Sequence, residues 1–202
     1  MCCHHASRCA PPFSMMRFSR LRVPSLLSLL VLCVAAVGCS RQPGPGVGTS
    51  EVAPLGVGDP APPLNVDQWV NGPPVSSGFE GGVHVVEFWA TWCGPCRVSM
   101  PHISSLQEEY GDAVTIIGVT NEDIGTVEAF LASESPDGRP WGEVIQYRLA
   151  TDNNEATNMA YMQAANQTGI PTAFIVGRDA TIKWIGHPGR IDEPLRQVVE
   201  GS

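Results

Sequence analysis

The stretch Phe88-Trp89-Ala90-Thr91-Trp92-Cys93-Gly94-Pro95-Cys96-Arg97 decides how this chain folds. An apolar run ends there in two cysteines separated by two residues, and a helical pattern follows. That order puts Cys93 on the turn between a strand and a helix. The first turn of a helix has unpaired N–H groups and the positive end of the macrodipole, and both favour a thiolate over a thiol. The second thiol comes one helical turn later, close enough to close a small disulfide ring. The pair reads as a two-electron switch.

Working outward, residues 83–90 are almost continuously apolar and β-branched, the pattern of a strand covered on both faces. Residues 96–110 place Met100, Ile103, Leu106 and Tyr110 at helical spacing, with Pro101 expected to kink the helix. A second buried strand is predicted at 114–119, a helix at 124–132 and a polar loop at 133–141. A strand is then predicted at 144–149 and a helix at 154–165, capped by Asp152 or Asn153. Residues 172–176 and 181–186 form a hairpin about the turn 177–180, and a helix closes the chain at 192–199. Before all of these, Leu64, Val66, Trp69 and Val70 predict a short strand or hairpin with Asn71-Gly72 as its turn. Strands and helices alternate first, and a hairpin and helix follow. The fold class is an α/β sandwich with a mixed sheet.

The beginning of the chain has another character. Arg17, Arg20 and Arg22 precede an apolar run at 23–37, which ends in Ala36-Val37-Gly38-Cys39. A basic segment, a short apolar segment and small residues at the cut make an export signal, too short for a comfortable membrane span. Its end resembles a bacterial lipobox, which implies that Cys39 becomes the lipidated first residue of the mature protein. Residues 1–14 lie upstream of Met15 and Met16, where the basic segment begins, and are set aside as preceding the true start. Residues 39–58 are rich in Gly and Pro and predict a flexible tether with a span of about 25 Å. The folded domain is expected over 59–202.

These boundaries simplify the cysteines and the charge. Of seven cysteines, Cys2, Cys3, Cys9 and Cys33 fall before the cut, leaving Cys39 for lipid and Cys93 with Cys96 for redox chemistry. No pair remains for a structural disulfide, so the domain must hold by packing, for which 43% hydrophobic residues suffice. Four of the twelve basic residues and none of the twenty acidic ones precede Cys39, so the net charge goes from −8 to −12. An acidic exported domain argues against nucleic acid as a partner.

Trp92-Cys93-Gly94-Pro95-Cys96 after a buried strand, with Gly169-Ile170-Pro171-Thr172 opening a later one, resembles thioredoxin over residues 59–202. The 75 residues between Cys96 and Pro171 exceed what a minimal thioredoxin needs, the excess being the strand and helix at 144–165. Such an insert, an export signal and an anchor resemble the TlpA/ResA-like branch of tethered thiol-disulfide oxidoreductases. The resemblance implies a thioredoxin-like three-layer sandwich, with helices on both faces of a central mixed sheet. It implies that Cys93 attacks a substrate disulfide and Cys96 resolves the mixed disulfide. Trp92, Gly94, Pro95, Ile170 and Pro171 are implied to form the substrate-binding surface, with Pro171 in the cis form and the backbone of Ile170 pairing with the substrate. The redox-active Cys93–Cys96 pair needs no cofactor and no metal. The expected partners are disulfides or thiols of exported proteins, an upstream membrane reductant, and the membrane itself through the lipid.

Glu87 interrupts the apolar strand, where a carboxylate is expensive to bury. It is expected to be a buried acid of raised pKa that takes the proton from Cys96, in the place where thioredoxins more often carry Asp. The competing reading is a strand-end carboxylate that turns to solvent or pairs with a base. Gly-Pro between the cysteines is the pair of the reducing family members, so reduction of disulfides is expected over their formation. An oxidase or isomerase, or a binding module that kept the fold without turnover, are the alternatives. A peroxidase fits less well with cysteines paired for dithiol exchange.

Overall fold

Val83–Phe88 (β2) is buried along its whole length, and the sheet is built outward from it. The computed structural model describes residues 53–79 and 81–201. The expected leader, Cys39 and most of the tether lie outside the described residues. The other strands are Gln68–Asn71 (β1), Val114–Thr120 (β3), Arg148–Thr151 (β4), Thr172–Val176 (β5) and Ile182–Gly186 (β6). They form one sheet in the order β1-β4-β3-β2-β5-β6. β2, β3 and β4 run parallel, while β1, β5 and β6 are antiparallel to their neighbours.

Side chains of a strand alternate between faces, and β2 divides the core accordingly. Val83 and Val85, followed by Trp89, pack on one face beneath the helices Gly94–Tyr110 (α1), Ile124–Ala132 (α2), Trp141–Val144 (α3) and Asp192–Glu200 (α5). Val86 and Phe88 pack on the other, against Leu64 and Phe79 and against Tyr161 and Met162 from the helical segment of Ala156–Asn158 (α4) and Met159–Gln163. This is the three-layer α/β sandwich with a central mixed sheet that the sequence predicts, and Glu87 falls by alternation on the α1 face.

Several expectations shift in detail. The chain joins the domain at Leu55, whose N–H donates to the Ala164 carbonyl at 2.9 Å, a few residues ahead of Asp59. β1 does not form a local hairpin about Asn71-Gly72, because it pairs with β4, far along the chain. The predicted strand at 144–149 starts later, at Arg148, since residues 141–144 wind into the helical turn α3. α1 continues through Pro101, with Met100 and Ile103 on either side packed into the core.

The predicted helix at 154–165 is short and then widens. The N-cap residue is Glu155, in a left-handed conformation and without a side-chain cap bond, rather than Asp152 or Asn153, although Asp152 accepts the Asn158 N–H at 2.8 Å. From Met159 the turns are π-type, with the Ala164 N–H donating to the Met159 carbonyl. The wider winding buries Tyr161 and Met162 and turns Met159 outward, 41% exposed.

Glu87 lies between the smallest residues of the neighbouring strands, Gly118 on β3 and Ala173 on β5. A Cβ on Gly118 would come within 2.7 Å of Leu149 Cδ2, 3.0 Å of Trp89 Nε1 and 3.1 Å of Tyr147 Cε2. Gly118→Ala is therefore expected to overpack this spot and lower stability by about 1–3 kcal/mol. Urea unfolding checks it: the midpoint should fall with the slope unchanged, and an unchanged midpoint would contradict the packing described.

Candidate active site

β2 stops at Phe88 and α1 begins at Gly94, so residues 89–93 form the crossing from sheet to helix. Two sets of contacts fix that crossing. The Trp89 N–H donates to the Val119 carbonyl and the Cys93 N–H to the Ala90 carbonyl, both at 3.1 Å. The half-buried carboxylate of Glu122, just past the end of β3, accepts the Thr91 N–H and the Thr91 hydroxyl, each at 2.7 Å. The Thr120 hydroxyl adds a third bond to Glu122 at 3.2 Å.

Cys93 is the N-cap of α1. Its Sγ accepts the Cys96 N–H at 3.1 Å, taking one of the donors that a helix start leaves unpaired. Pro95 sits in the first turn, where its missing N–H costs nothing. Cys93 and Cys96 are joined by a disulfide, with Cα atoms 5.3 Å apart. Both are buried, and Trp92 beside them is 72% exposed.

The peptide between Ile170 and Pro171 is cis. β5 begins at the next residue, and its Thr172 is the cross-strand partner of Phe88. Pairing across the sheet thus brings residues 84 positions apart to the same end of the strands. The Thr172 hydroxyl donates to the Gly169 carbonyl at 2.7 Å and ties the loop down. Trp92, Gly169 and Ile170 line one groove of about 470 Å³ together with Asn121, Met162 and Gln163. A second groove of about 780 Å³ starts at Gly94 and runs past Arg97, Val98 and Trp141.

Glu87 is 0% exposed, and neither of its carboxyl oxygens has a hydrogen-bond partner among the described residues. It neither turns to solvent nor pairs with a base. Burial alone pushes its pKa from 4.5 up to about 8, so in this structure the group is a neutral acid at pH 7. The hydroxyl of Tyr147 and the indole N–H of Trp89 are also buried and unpartnered.

All the residues anticipated from the sequence, except Cys39, therefore lie within the described residues. Cys93 is bonded to Cys96, Trp92 shares a groove with Ile170, Gly94 opens the second groove, and Glu87 shares the sheet face of the cysteines. Three contributors were not anticipated. Glu122 follows the end of a buried parallel strand, where such sheets place their sites, and that signal was legible. Thr91 and Tyr147 gave none, because each matters only through a partner distant in sequence. Among the described residues, no group of His, Cys, Asp and Glu could hold a metal, and no helix is long and apolar enough to cross a membrane.

A family model described as the AhpC/TSA family matches residues 57–185. Protein FixW of Rhizobium leguminosarum is 27% identical over 157 residues, covering 73% of this chain and 68% of that protein. Thioredoxin of Listeria monocytogenes is 34% identical over 84 residues, covering 38% of this chain and 82% of the relative. Among solved structures, a thiol:disulfide interchange protein of the thioredoxin family from Chlorobium tepidum superposes with a TM-score of 0.52 at 24% identity, over 70% of this chain and 97% of that one. DsbF of MTB superposes with a TM-score of 0.52 at 16% identity, over 69% and 98%. At such identities the two structures speak for the fold.

The buried acid makes stability depend on pH. Unfolded, a glutamate ionises above about 4.5, whereas folded Glu87 keeps its proton up to about 8. Between those values folding takes up a proton, so this group's contribution to stability falls as pH rises, by about 1.4 kcal/mol per unit. Chemical denaturation from pH 5 to 8 should show wild type losing stability relative to Glu87→Gln. Parallel curves for the two proteins would contradict the burial of an acid.

Proposed function

Because the chain belongs to the AhpC/TSA family and is a thioredoxin-like thiol-disulfide oxidoreductase, we propose that it reduces disulfides of exported proteins from a lipid anchor at Cys39. The observation that carries the reading is the Cys93–Cys96 disulfide at the start of α1, with Cys93 Sγ receiving a helix N–H. In the reduced protein that N–H and the helix dipole favour a Cys93 thiolate. The thiolate attacks one sulfur of a substrate disulfide, the substrate's S–S bond breaks, and its other sulfur leaves as a thiolate. A mixed disulfide through Cys93 results.

Glu87, neutral in most molecules at pH 7, first loses its proton; Cys96 then gives its own proton to the carboxylate so formed and attacks Cys93 Sγ. The second substrate sulfur leaves, the substrate has gained two electrons, and the protein is left with the Cys93–Cys96 disulfide. Exposed Trp92, with Gly94, Pro95 and the loop at Ile170 and Pro171, forms the surface that receives the substrate segment. The backbone of Ile170 pairs with that segment, and the groove shared by Trp92 and Ile170 supports this role.

The direction of electron flow is supported by Gly94-Pro95 between the cysteines, the pair that resembles the reducing relatives. Export is supported by Arg17, Arg20 and Arg22 before the apolar run, and anchoring by Ala36-Val37-Gly38-Cys39. The acidic charge of the remaining chain suits a protein partner better than nucleic acid. A chain that works away from the cytosolic thiol pools needs a dithiol donor to restore Cys93 and Cys96. We assign that step to a membrane reductant upstream.

Cys96→Ser should accumulate a mixed disulfide through Cys93, seen as adducts on non-reducing gels that dithiothreitol releases. Removing Cys93 as well should abolish them. The mature protein should also speed reduction of a model protein disulfide by dithiothreitol, with Cys93→Ser inactive. Equal rates for wild type and Cys93→Ser would contradict the exchange reaction and leave a docking module.

A further inference from the structure

The α1 face of the sheet holds a polar cluster that the exchange reaction above uses only in part. Both carboxyl oxygens of Glu87, Nε1 of Trp89 and Oη of Tyr147 are buried without a hydrogen-bond partner among the described residues. They converge over one backbone position. Gly118 is the cross-strand neighbour of Glu87, and a Cβ there would lie 3.0 Å from Trp89 Nε1 and 3.1 Å from the Tyr147 ring. The absence of a side chain at Gly118 leaves the acid, the indole N–H and the phenol in one dry space. The phenol senses the Glu87 charge directly: after burial, that charge is the second cause of its raised pKa.

Two buried donors without partners are an unfavourable arrangement, and Phe at 147 would fill the same volume without an orphaned hydroxyl. Local rules broken in this way concentrate where a site needs them. What the two donors suit is the other charge state of their neighbour. A neutral Glu87 asks little of them, but a carboxylate can accept a hydrogen bond from each. We infer that Tyr147, with Trp89 beside it, is a positioning residue that stabilises the ionised form of Glu87 and so readies it to take the proton of Cys96. This inference rests on the role given to Glu87 in the proposed reaction.

The chemistry balances within the proposed step. The Cys96 thiol proton passes to a Glu87 oxygen, the sulfur's electron pair forms the bond to Cys93 Sγ, and the substrate sulfur departs with the pair of the mixed disulfide. The phenol and the indole keep their protons throughout and only reorient their bonds.

Few other groups can interfere. Beside Glu87, β3 places Gly118 and β5 places Ala173, Leu149 of β4 pairs with Gly118, and Cys93, Cys96 and Met100 belong to the core on the same face of the sheet. Of the buried residues on this face, Tyr147 and the two cysteines are the titratable neighbours. The buried His84 meets the Phe79 ring edge-on, on the side of the sheet away from α1, and Asp152 binds the Asn158 N–H at α4.

The test compares wild type, Tyr147→Phe and Glu87→Gln in the pH dependence of protein-disulfide reduction by the reduced full-length protein, followed in a single turnover from pH 5 to 10. In Tyr147→Phe the midpoint should move up by about one unit, giving about a tenfold slower reaction at pH 7 and recovery at high pH. Its melting temperature should stay the same or rise, since the substitution removes only an orphaned hydroxyl. A Tyr147→Phe profile that coincides with wild type, or one lowered equally at every pH, overturns the inference. Glu87→Gln separates the two levels of the argument. If its profile keeps the wild-type midpoint, the role given to Glu87 is wrong. If the midpoint is lost in Glu87→Gln yet unmoved in Tyr147→Phe, only the part given to Tyr147 is wrong.

Discussion

A sulfur atom occupies the place where a helix would otherwise leave a backbone donor unpaired. Cys93 Sγ accepts the Cys96 N–H, and that bond ties together the end of β2, the start of α1 and the reacting disulfide. The rest of the structure keeps this junction in place. Glu122 grips Thr91 two residues upstream, and the pairing of β2 with β5 brings Ile170 and Pro171 alongside. The same donor that completes the helix cap in the oxidised protein is available to a thiolate in the reduced one. Fold and chemistry thus share a single hydrogen bond, and neither can be altered at this point without the other.

Behind that junction the sheet breaks its own rule. β2 is apolar except for His84, whose ring meets Phe79 edge-on, and Glu87, whose carboxyl oxygens have no hydrogen-bond partner among the described residues. Gly118 and Ala173 make room for the carboxyl, and the dry surroundings hold its proton to about pH 8. Such an arrangement lowers stability near neutral pH, and a Gln in its place would relieve the proton uptake. A buried acid of raised pKa on the sheet face of the cysteines fits the acid–base role proposed for it.

Much of this was legible in the sequence, for physical reasons that differ from one element to the next. The strand–turn–helix order around Cys93 was clear because apolar continuity, the C-x-x-C spacing and helical periodicity agree over adjacent residues. Glu87 stood out because one charge in an apolar run is conspicuous. Residues 144–165 were the least legible. There α3 displaced the expected strand start, β1 found its partner in β4, and π winding turned Met159 outward, all through contacts between distant parts of the chain. Tyr147 was hidden for the same reason, since its significance appears only once Gly118 leaves space beside Glu87.

The reduction potential of the Cys93–Cys96 pair, measured by equilibration of the full-length protein with defined thiol–disulfide buffers, bears most directly on the role assigned to this protein. A disulfide reductant should come to equilibrium near the thioredoxin value of about −270 mV. A potential near about −120 mV, typical of a strong disulfide-forming oxidant, would reverse the direction of electron flow and contradict the account.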